Sequence, residues 1–402
     1  MSEQKRLFLV DAYALIFRGY YAFIKNPRIN SKGVDTSAIM GFMNSLLDVI
    51  KRERPDHLAV CFDKGGSVDR VEMFEAYKAN RDETPEAIKI AVPYIEQILK
   101  AMHIPIMVKA GFEADDVIGT LSKQAEKEGY KTFMVTPDKD FAQLVSENIF
   151  MYRPRFGGGY ETWGVKEVQE NFEIERPEQV IDFLGMKGDA VDNIPGLPGV
   201  GDKTAKKFLA QYGSMEGLLA NTHELKGKMK EKVEANAELG LLSKKLARIL
   251  LDVPVEFDEK DFELNHPDLN AVQEIFQELE FRRLAENLTK TFVNHVDSSA
   301  KDDTETKAES KPTPIASPTA GAGQFSLFGG DGEPTPQANT DFGRLNIKTV
   351  PHFYQSVTGE LALKLFVKSL NRITFSNFDI SLIETILFFI VFLFYQIWLY
   401  LN

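Results

Sequence analysis

Residues 6–11 read RLFLVD: four apolar residues in unbroken succession, closed by an acid. A run that short and that uniformly apolar fits a strand buried on both faces. Residues 57–63, HLAVCFD, repeat the pattern, and 131–136, KTFMVT, are followed at once by PDKD. Amphipathic segments lie between these runs. Over 37–52, Ile39, Phe42, Leu46, Val49 and Ile50 recur at helical spacing. From Glu113 onward, Ala114, Val117, Ile118, Leu121 and Ala125 form a second such stripe. Strands alternating with helices predict an α/β domain with a mostly parallel sheet flanked by helices.

Each early strand leads into an acid: Asp11, Asp63, then Asp138 and Asp140. Ligands of open α/β sheets bind beyond the carboxyl ends of the strands, so chain order sends these acids to one edge. GFEADDVIG, residues 111–119, brings Glu113, Asp115 and Asp116 to a helix start, where the dipole tolerates negative charge. On a helical wheel these three fall off the apolar stripe, so they need not be buried in the core. GDAVDNIPG, residues 188–196, contributes Asp189 and Asp192. Like charges gathered this closely raise one another's pKa, and divalent cations are the usual compensation. Oxygen donors without His or Cys favour Mg²⁺ or Mn²⁺ over Zn²⁺. Two such ions about 3.5–4 Å apart can activate water and stabilise a leaving oxygen in phosphodiester hydrolysis.

The cations follow a pattern of their own. After Asp63 comes KGGSVDRVEMFEAYKANRD, residues 64–82. A helix over 70–81 would set Arg70, Phe74, Tyr77, Lys78 and Arg81 on one face. Bases interleaved with aromatics suit a phosphate backbone with stackable bases. In GLPGVGDKTAKKF, residues 196–208, Pro198, Gly199 and Gly201 make a tight turn whose following helix start can hold a phosphate oxygen. Lys203, Thr204, Lys206 and Lys207 come directly after it. Over all 402 residues the formal charge is −12, which taken alone argues against a nucleic-acid binder. That objection fails if the acids are concentrated in one cleft and the bases lie elsewhere. A single cysteine, Cys61, excludes an intrachain disulfide framework, and no secretory signal opens the chain, so the cytoplasm is expected.

Strand signals fade from 179, and a helical region runs to 292. Residues 293–344 are Ser, Thr, Pro, Gly and charge, the composition of a disordered linker. The expected organisation is a catalytic domain over 1–178 with an arch at about 64–95, a helical DNA-binding domain over 179–292, the linker, and a remnant over 345–402.

With LFLVDAYALIFRGYYA, FDKGGSVDRVEMFEAYKANR, EADDVIGTL, TPDKDFAQLV and GDAVDNIPGLPGVGDKTA in hand, residues 1–292 closely resemble the 5′-nuclease domain of bacterial DNA polymerase I, related to flap endonucleases and phage 5′-exonucleases. The resemblance implies a PIN-like α/β domain followed by a helical domain with a helix-hairpin or helix-three-turn-helix element. It implies that Asp63, Glu113, Asp115 and Asp116 serve one metal site with Asp11 beside them, and that Asp138, Asp140, Asp189 and Asp192 serve a second. Lys78 and Arg81 match the family's arch bases, which polarise the scissile phosphate, so the catalytic set becomes Lys78, Arg81, Asp63 and Asp115. Arg18, Tyr20 and Tyr21 lie where the family handles the displaced strand or the template. The turn at Gly199 and Gly201 would bind a monovalent cation, K⁺, against duplex DNA. The implied substrate is a 5′ end or 5′ flap on DNA, or an RNA primer, cut in replication and repair by a monomeric enzyme at the nucleoid. Recognition would be of shape and backbone, weakening steeply with salt. A non-catalytic DNA-binding or clamp-associated fragment is the alternative, and the presence of every expected acid and both arch bases stands against it.

Beyond 344 the pattern departs. Residues 345–380 look like the opening of a proofreading domain without its acidic motif, and no polymerase motif follows, so no polymerase activity is expected. The apolar ending at 386–401 is interrupted in its wider run by Glu384 and Gln396. It reads as the result of a lost coding frame in preference to a membrane anchor. Within the linker, Gln324, Leu327 and Phe328 form a Q-x-x-L-F pattern like the peptide with which bacterial proteins dock onto the sliding clamp.

Overall fold

The computed structural model describes residues 4–155 and 158–299. Among the described residues six strands form one sheet: β1 (Arg6–Asp11), β2 (His57–Cys61), β3 (Ile106–Met107), β4 (Lys131–Val135), β5 (Ile149–Pro154) and β6 (Tyr160–Trp163). Their order is β3-β2-β1-β4-β5-β6, parallel throughout except for the antiparallel β5–β6 pair. The chain starts at β1, steps outward to β2 and β3, then returns to the other side of β1 as β4. The strand order therefore reverses beside β1, and such a switch point opens a crevice at the carboxyl ends of the strands. β1, β2 and β4 match the apolar runs expected to be strands. The edge strands β3 and β6 are short and carry no comparable apolar run, whereas β5, between β4 and β6, carries Ile149–Tyr152, an apolar run not among those expected to be strands.

The helices are α1 (Ala12–Phe23), α2 (Ser37–Glu53), α3 (Val68–Met73), α4 (Glu86–Ala101), α5 (Ala114–Lys127), α6 (Val165–Phe172), α7 (Gln179–Lys187), α8 (Asp202–Tyr212), α9 (Met215–Ala220), α10 (Gly227–Ala235), α11 (Ala237–Ala247), α12 (Glu259–Phe262), α13 (Leu269–Glu278) and α14 (Arg282–Ser299). Side chains alternate across a strand, so β1 feeds two cores. Leu7 and Leu9 pack with Val117, Ile118 and Leu121 of α5 and with the helical region from α7 to α11. Phe8 and Val10 pack with Leu15 of α1, Phe42 and Leu46 of α2, and Ile95 of α4. Val272 and Phe276 of α13 and Leu284 and Leu288 of α14 join this second core. The chain after the helical region thus returns to cover the sheet's other side.

The expected helix over 70–81 is not formed. α3 ends at Met73, and Phe74 turns to extended backbone (φ −154°, ψ 97°). From there the chain advances in tight turns, Tyr77 N–H to Phe74 O and Arg81 N–H to Lys78 O. The reason is a better set of partners elsewhere. Lys78, at φ +56°, gives its N–H to Asp192 O (3.0 Å), and Asn193 Nδ2 donates to Ala76 O (2.6 Å). Helical geometry would spend those backbone groups within the segment itself.

The clamp-like residues Gln324, Leu327 and Phe328, the remnant over 345–402 and its apolar ending all lie outside the described residues. Among the described residues no helix is long and apolar enough to cross a membrane.

Candidate active site

The sheet edge at the switch point gathers the acids. Asp11 closes β1 and caps α1, accepting Ala14 N–H at 3.1 Å. Thr136, just past β4, donates its hydroxyl to Asp11 Oδ2 at 3.0 Å, which ties the two strand ends together. Asp63, two residues past β2, accepts Ala114 N–H at 2.9 Å and so touches the start of α5. Asp138 caps the 3₁₀ turn Lys139–Leu144, accepting Asp140 N–H at 3.0 Å. Burial pushes the Asp11 carboxyl up to about 7, with Asp63 and Asp138 adding to the shift. Asp63 is also raised, by burial and then by Glu113.

Glu113, Asp115 and Asp116 place one carboxylate oxygen each within 4.8 Å of one another. Asp115 sits well above the usual carboxylate range because burial removes its hydration and Asp116 and Glu113 repel its charge. Although the helical wheel puts all three off the apolar stripe, two of them are buried. Glu113 is 3% exposed and Asp116 is fully buried. What makes this possible is Arg70, which is not on a DNA-facing surface as expected but 2% exposed beneath the carboxylates. Its Nη1 donates to Glu113 Oε2 (3.0 Å) and Asp116 Oδ2 (2.8 Å), and its Nη2 to Asp116 Oδ1 (2.7 Å). Burial by itself would lower the Arg70 pKa, but Asp116 and Asp115 hold it raised. Buried charges need this kind of paired, hydrogen-bonded partner.

Tyr77, also expected to meet nucleic acid, is buried, and its hydroxyl donates to Glu113 Oε2 at 3.0 Å. Burial and Glu113 raise its pKa, so it stays a neutral donor. Lys78 reaches Glu113 Oε1 at 2.5 Å and Asp192 Oδ2 at 3.5 Å. Burial pulls its pKa down, but Glu113, Asp192 and Asp115 outweigh that and leave it raised and charged. Arg81 pairs with Asp192 Oδ1.

Asp189 and Asp192 ride on the loop after α7. Asp189 and Ile194 exchange two backbone hydrogen bonds, 2.9 and 2.7 Å. At its neck Gly188 and Gly196 pack backbone on backbone. A Cβ on Gly196 would fall 2.4 Å from Gly188 N, and both residues have positive φ. Only glycine permits that approach. Asp140 sits well above its usual range through burial and repulsion from Asp138, Asp189 and Asp192.

The donor set is therefore a ring of carboxylate oxygens, in which Asp11, Asp63, Asp115, Asp138 and Asp140 hold protons more tightly than usual, a set suited to hard divalent cations. Residues 6–173 match the family described as 5′-3′ exonuclease, N-terminal resolvase-like domain, and residues 175–270 match 5′-3′ exonuclease, C-terminal SAM fold. The chain belongs to the 5′-3′ exonuclease family.

That membership makes it a metal-dependent nuclease. It is 36% identical over 288 residues to the 5′-3′ exonuclease of Aquifex aeolicus, covering 72% of this chain and 96% of that relative. It is 39% identical over 291 residues to DNA polymerase I of Bacillus subtilis, covering 72% of this chain and 33% of the polymerase. The chain thus spans about a third of the length of the polymerase relatives it matches. In fold it is similar to the phage T5 D15 protein co-crystallised with metal ions, at TM-score 0.52 and 20% identity, covering 71% of this chain and 99% of that one.

Of the remaining expected residues of this 5′-3′ exonuclease, Lys206 lines a pocket that it shares with Asp140 and Asp189. Arg18 is exposed and donates to Arg155 O at 3.2 Å. Tyr20 is half-buried beside exposed Tyr21, with the rings 5.3 Å apart. Gly201 caps α8, with Lys203 exposed and Thr204 half-buried in its first turn. Lys206 is drawn aside by Glu173 (3.1 Å) and Asp202 (3.5 Å). A Cβ on Gly199 would lie 2.9 Å from Lys232 Nζ of α10, so an ammonium group stands against the turn. Sequence reasoning missed Thr136 and the stretch 246–250. Their roles depend on contacts that no local pattern announces.

Proposed function

We propose that the protein is a structure-selective 5′-3′ exonuclease and 5′-flap endonuclease that hydrolyses phosphodiester bonds near the 5′ end of DNA or of an RNA primer. One observation carries this reading: Lys78 bridges the two groups of acids, touching Glu113 on one side and Asp192 on the other. A cation placed there is where a phosphate would bring its negative charge. Asp63, Glu113 and Asp115, with Asp11 behind them, would hold one Mg²⁺ or Mn²⁺. Asp138, Asp140, Asp189 and Asp192 would hold the second. Divalent ions so held lower the pKa of water and stabilise a leaving oxygen. The protein's own part is to orient the phosphate. Lys78 and Arg81 exchange their carboxylate partners for phosphate oxygens when metals and substrate arrive, an electrostatic contribution of about 10²–10³ in rate.

Arg18, Tyr20, Tyr21 and the turn from Gly199 to Lys203 would guide the nucleic acid, with K⁺ at that turn. The bound and solved relatives named in DNA complexes support a nucleic-acid partner; these include a T5 flap endonuclease complex with DNA and metal ions. The same reading makes the protein a cytoplasmic monomer at the nucleoid, with Gln324, Leu327 and Phe328 docking onto a sliding clamp. The deciding experiment is cleavage of a 5′-labelled flap by the full chain with and without Mg²⁺, beside Asp115→Asn and Lys78→Ala. Wild type should release 5′-phosphorylated products only with metal, and both variants should fall at least about 10²-fold. No cleavage by the wild-type chain defeats the reading.

A further inference from the structure

Arg70 satisfies all five of its N–H donors inside the protein. Besides the bonds to Glu113 and Asp116, its Nε donates to Leu246 O at 3.1 Å and its Nη2 to Arg248 O at 2.8 Å. Asp116 Oδ1 in turn accepts Leu250 N–H at 2.8 Å. Three separate segments therefore meet at one guanidinium: α3, the start of α5, and the stretch 246–250 at the end of α11 and just beyond it. Glu113 Oε2 takes two donors, Arg70 Nη1 and Tyr77 Oη, each at 3.0 Å. Its other oxygen, Oε1, faces Lys78. With Oε2 committed, Oε1 is the oxygen left to meet an incoming cation.

We propose that Arg70 is a positioning residue for the metal centre. It fixes the rotamer of Glu113 and anchors Asp116, so that the acidic group presents its oxygens in one arrangement before any metal binds. Because Leu246, Arg248 and Leu250 supply the rest of the cage, docking of the helical region and completion of the metal site become one event. A lysine cannot replace the guanidinium, since it lacks the planar fork that serves two carboxylates at once. Partners that orient metal ligands in this way typically change metal affinity by roughly 10–100-fold when lost. The inference rests on the nuclease reading only for the identity of the metal site, and its test needs no nucleic acid.

The test is Mn²⁺ binding to the full chain without DNA, followed by the electron paramagnetic resonance of free Mn²⁺, for wild type, Arg70→Lys and Tyr77→Phe. Far-ultraviolet circular dichroism and melting report the folded fraction. Folded Arg70→Lys should bind Mn²⁺ roughly 10–100-fold more weakly than wild type, and Tyr77→Phe a few-fold more weakly. Folded Arg70→Lys that binds within about threefold of wild type overturns the proposal. If Arg70→Lys does not fold, Tyr77→Phe decides, because it removes one donor from the same Oε2 and keeps the ring; unchanged affinity there overturns the proposal. Wild type that binds Mn²⁺ with the expected losses yet cleaves no flap defeats the nuclease reading and leaves this one standing.

Discussion

The two halves of the acidic ring are built on opposite electrostatic plans. Around Glu113 and Asp116 the compensation is internal. Arg70 lies buried beneath both carboxylates, Lys78 reaches Glu113, and Tyr77 adds a neutral donor. Around Asp140 the neighbours are Asp138, Asp189 and Asp192, and Lys187 is the cation that eases its charge. Arg81 and Lys78 reach across to Asp192 but bear on one end of that group. Glu113 and Asp116 are held by the fold; Asp140 waits for a cation from solution. Neutralising Asp116 and neutralising Asp140 should therefore have opposite signs.

The largest effect is expected at Asp116→Asn. It leaves the Arg70 guanidinium without the carboxylate that takes two of its donors, deep in the core. Breaking a buried pair by removing one partner costs about 3–5 kcal/mol. Urea unfolding of the metal-free chain should show that loss, and a change below about 1 kcal/mol would break the comparison on its first side. Next comes Gly196→Ala. The added methyl meets Gly188 N at 2.4 Å, and φ is +63°. Strain and overpacking should cost about 2–3 kcal/mol and loosen the loop that carries Asp189 and Asp192. Hydrogen exchange at Asp189 and Ile194, whose amides are paired to each other's carbonyls, would report it.

Asp140→Asn should do the reverse of Asp116→Asn. In metal-free protein at pH 8 it relieves like-charge repulsion and should stabilise by about 2 kcal/mol. Saturating Mn²⁺ should invert the order, since the wild type then gains more from ligand binding to the native state. A destabilised metal-free Asp140→Asn would erase the contrast between the halves.

The pH-dependent effect belongs to Asp11→Asn, where the two halves adjoin. The Asp11 carboxyl titrates near 7 in the folded protein, far above its ordinary 3.8. Between those values the folded state holds a proton that the unfolded state has lost, so this residue's ionisation lowers stability as pH rises from about 4 to about 7. Asn carries no such penalty. Metal-free Asp11→Asn should match the wild type below pH 4 and gain on it by about 1.4 kcal/mol for each pH unit between about 4 and 7. Melts across that range would show the gap opening.

How much of this was legible beforehand follows a physical divide. The strands β1, β2 and β4 were readable because full burial on two faces demands unbroken apolar runs. The edge strands β3 and β6 were not, because an edge strand needs no such run, and the apolar run Ile149–Tyr152 of the interior strand β5 was passed over. The helix α5 was readable from its stripe, but the burial of Glu113 and Asp116 was not, since a helical wheel knows nothing of a guanidinium arriving from 43 and 46 residues away. The segment 70–81 shows the same limit. Its 3.6-residue spacing suited a helix, yet the backbone found partners in the loop at 190–193 and unwound to reach them.

By itself, then, the sequence determined the α/β class, the acids that follow successive strands, the bases that follow Asp63 and the family to which the chain belongs. These are properties of local pattern and of covalent order, and a parallel sheet converts order directly into position. Only the tertiary structure decided which bases face substrate and which face inward. Arg70 and Lys78 look alike in sequence, two cations eight residues apart beside the same acids. One is sealed under the carboxylates and the other bridges the cleft, because burial and hydrogen-bond satisfaction are settled by segments that no window along the chain contains.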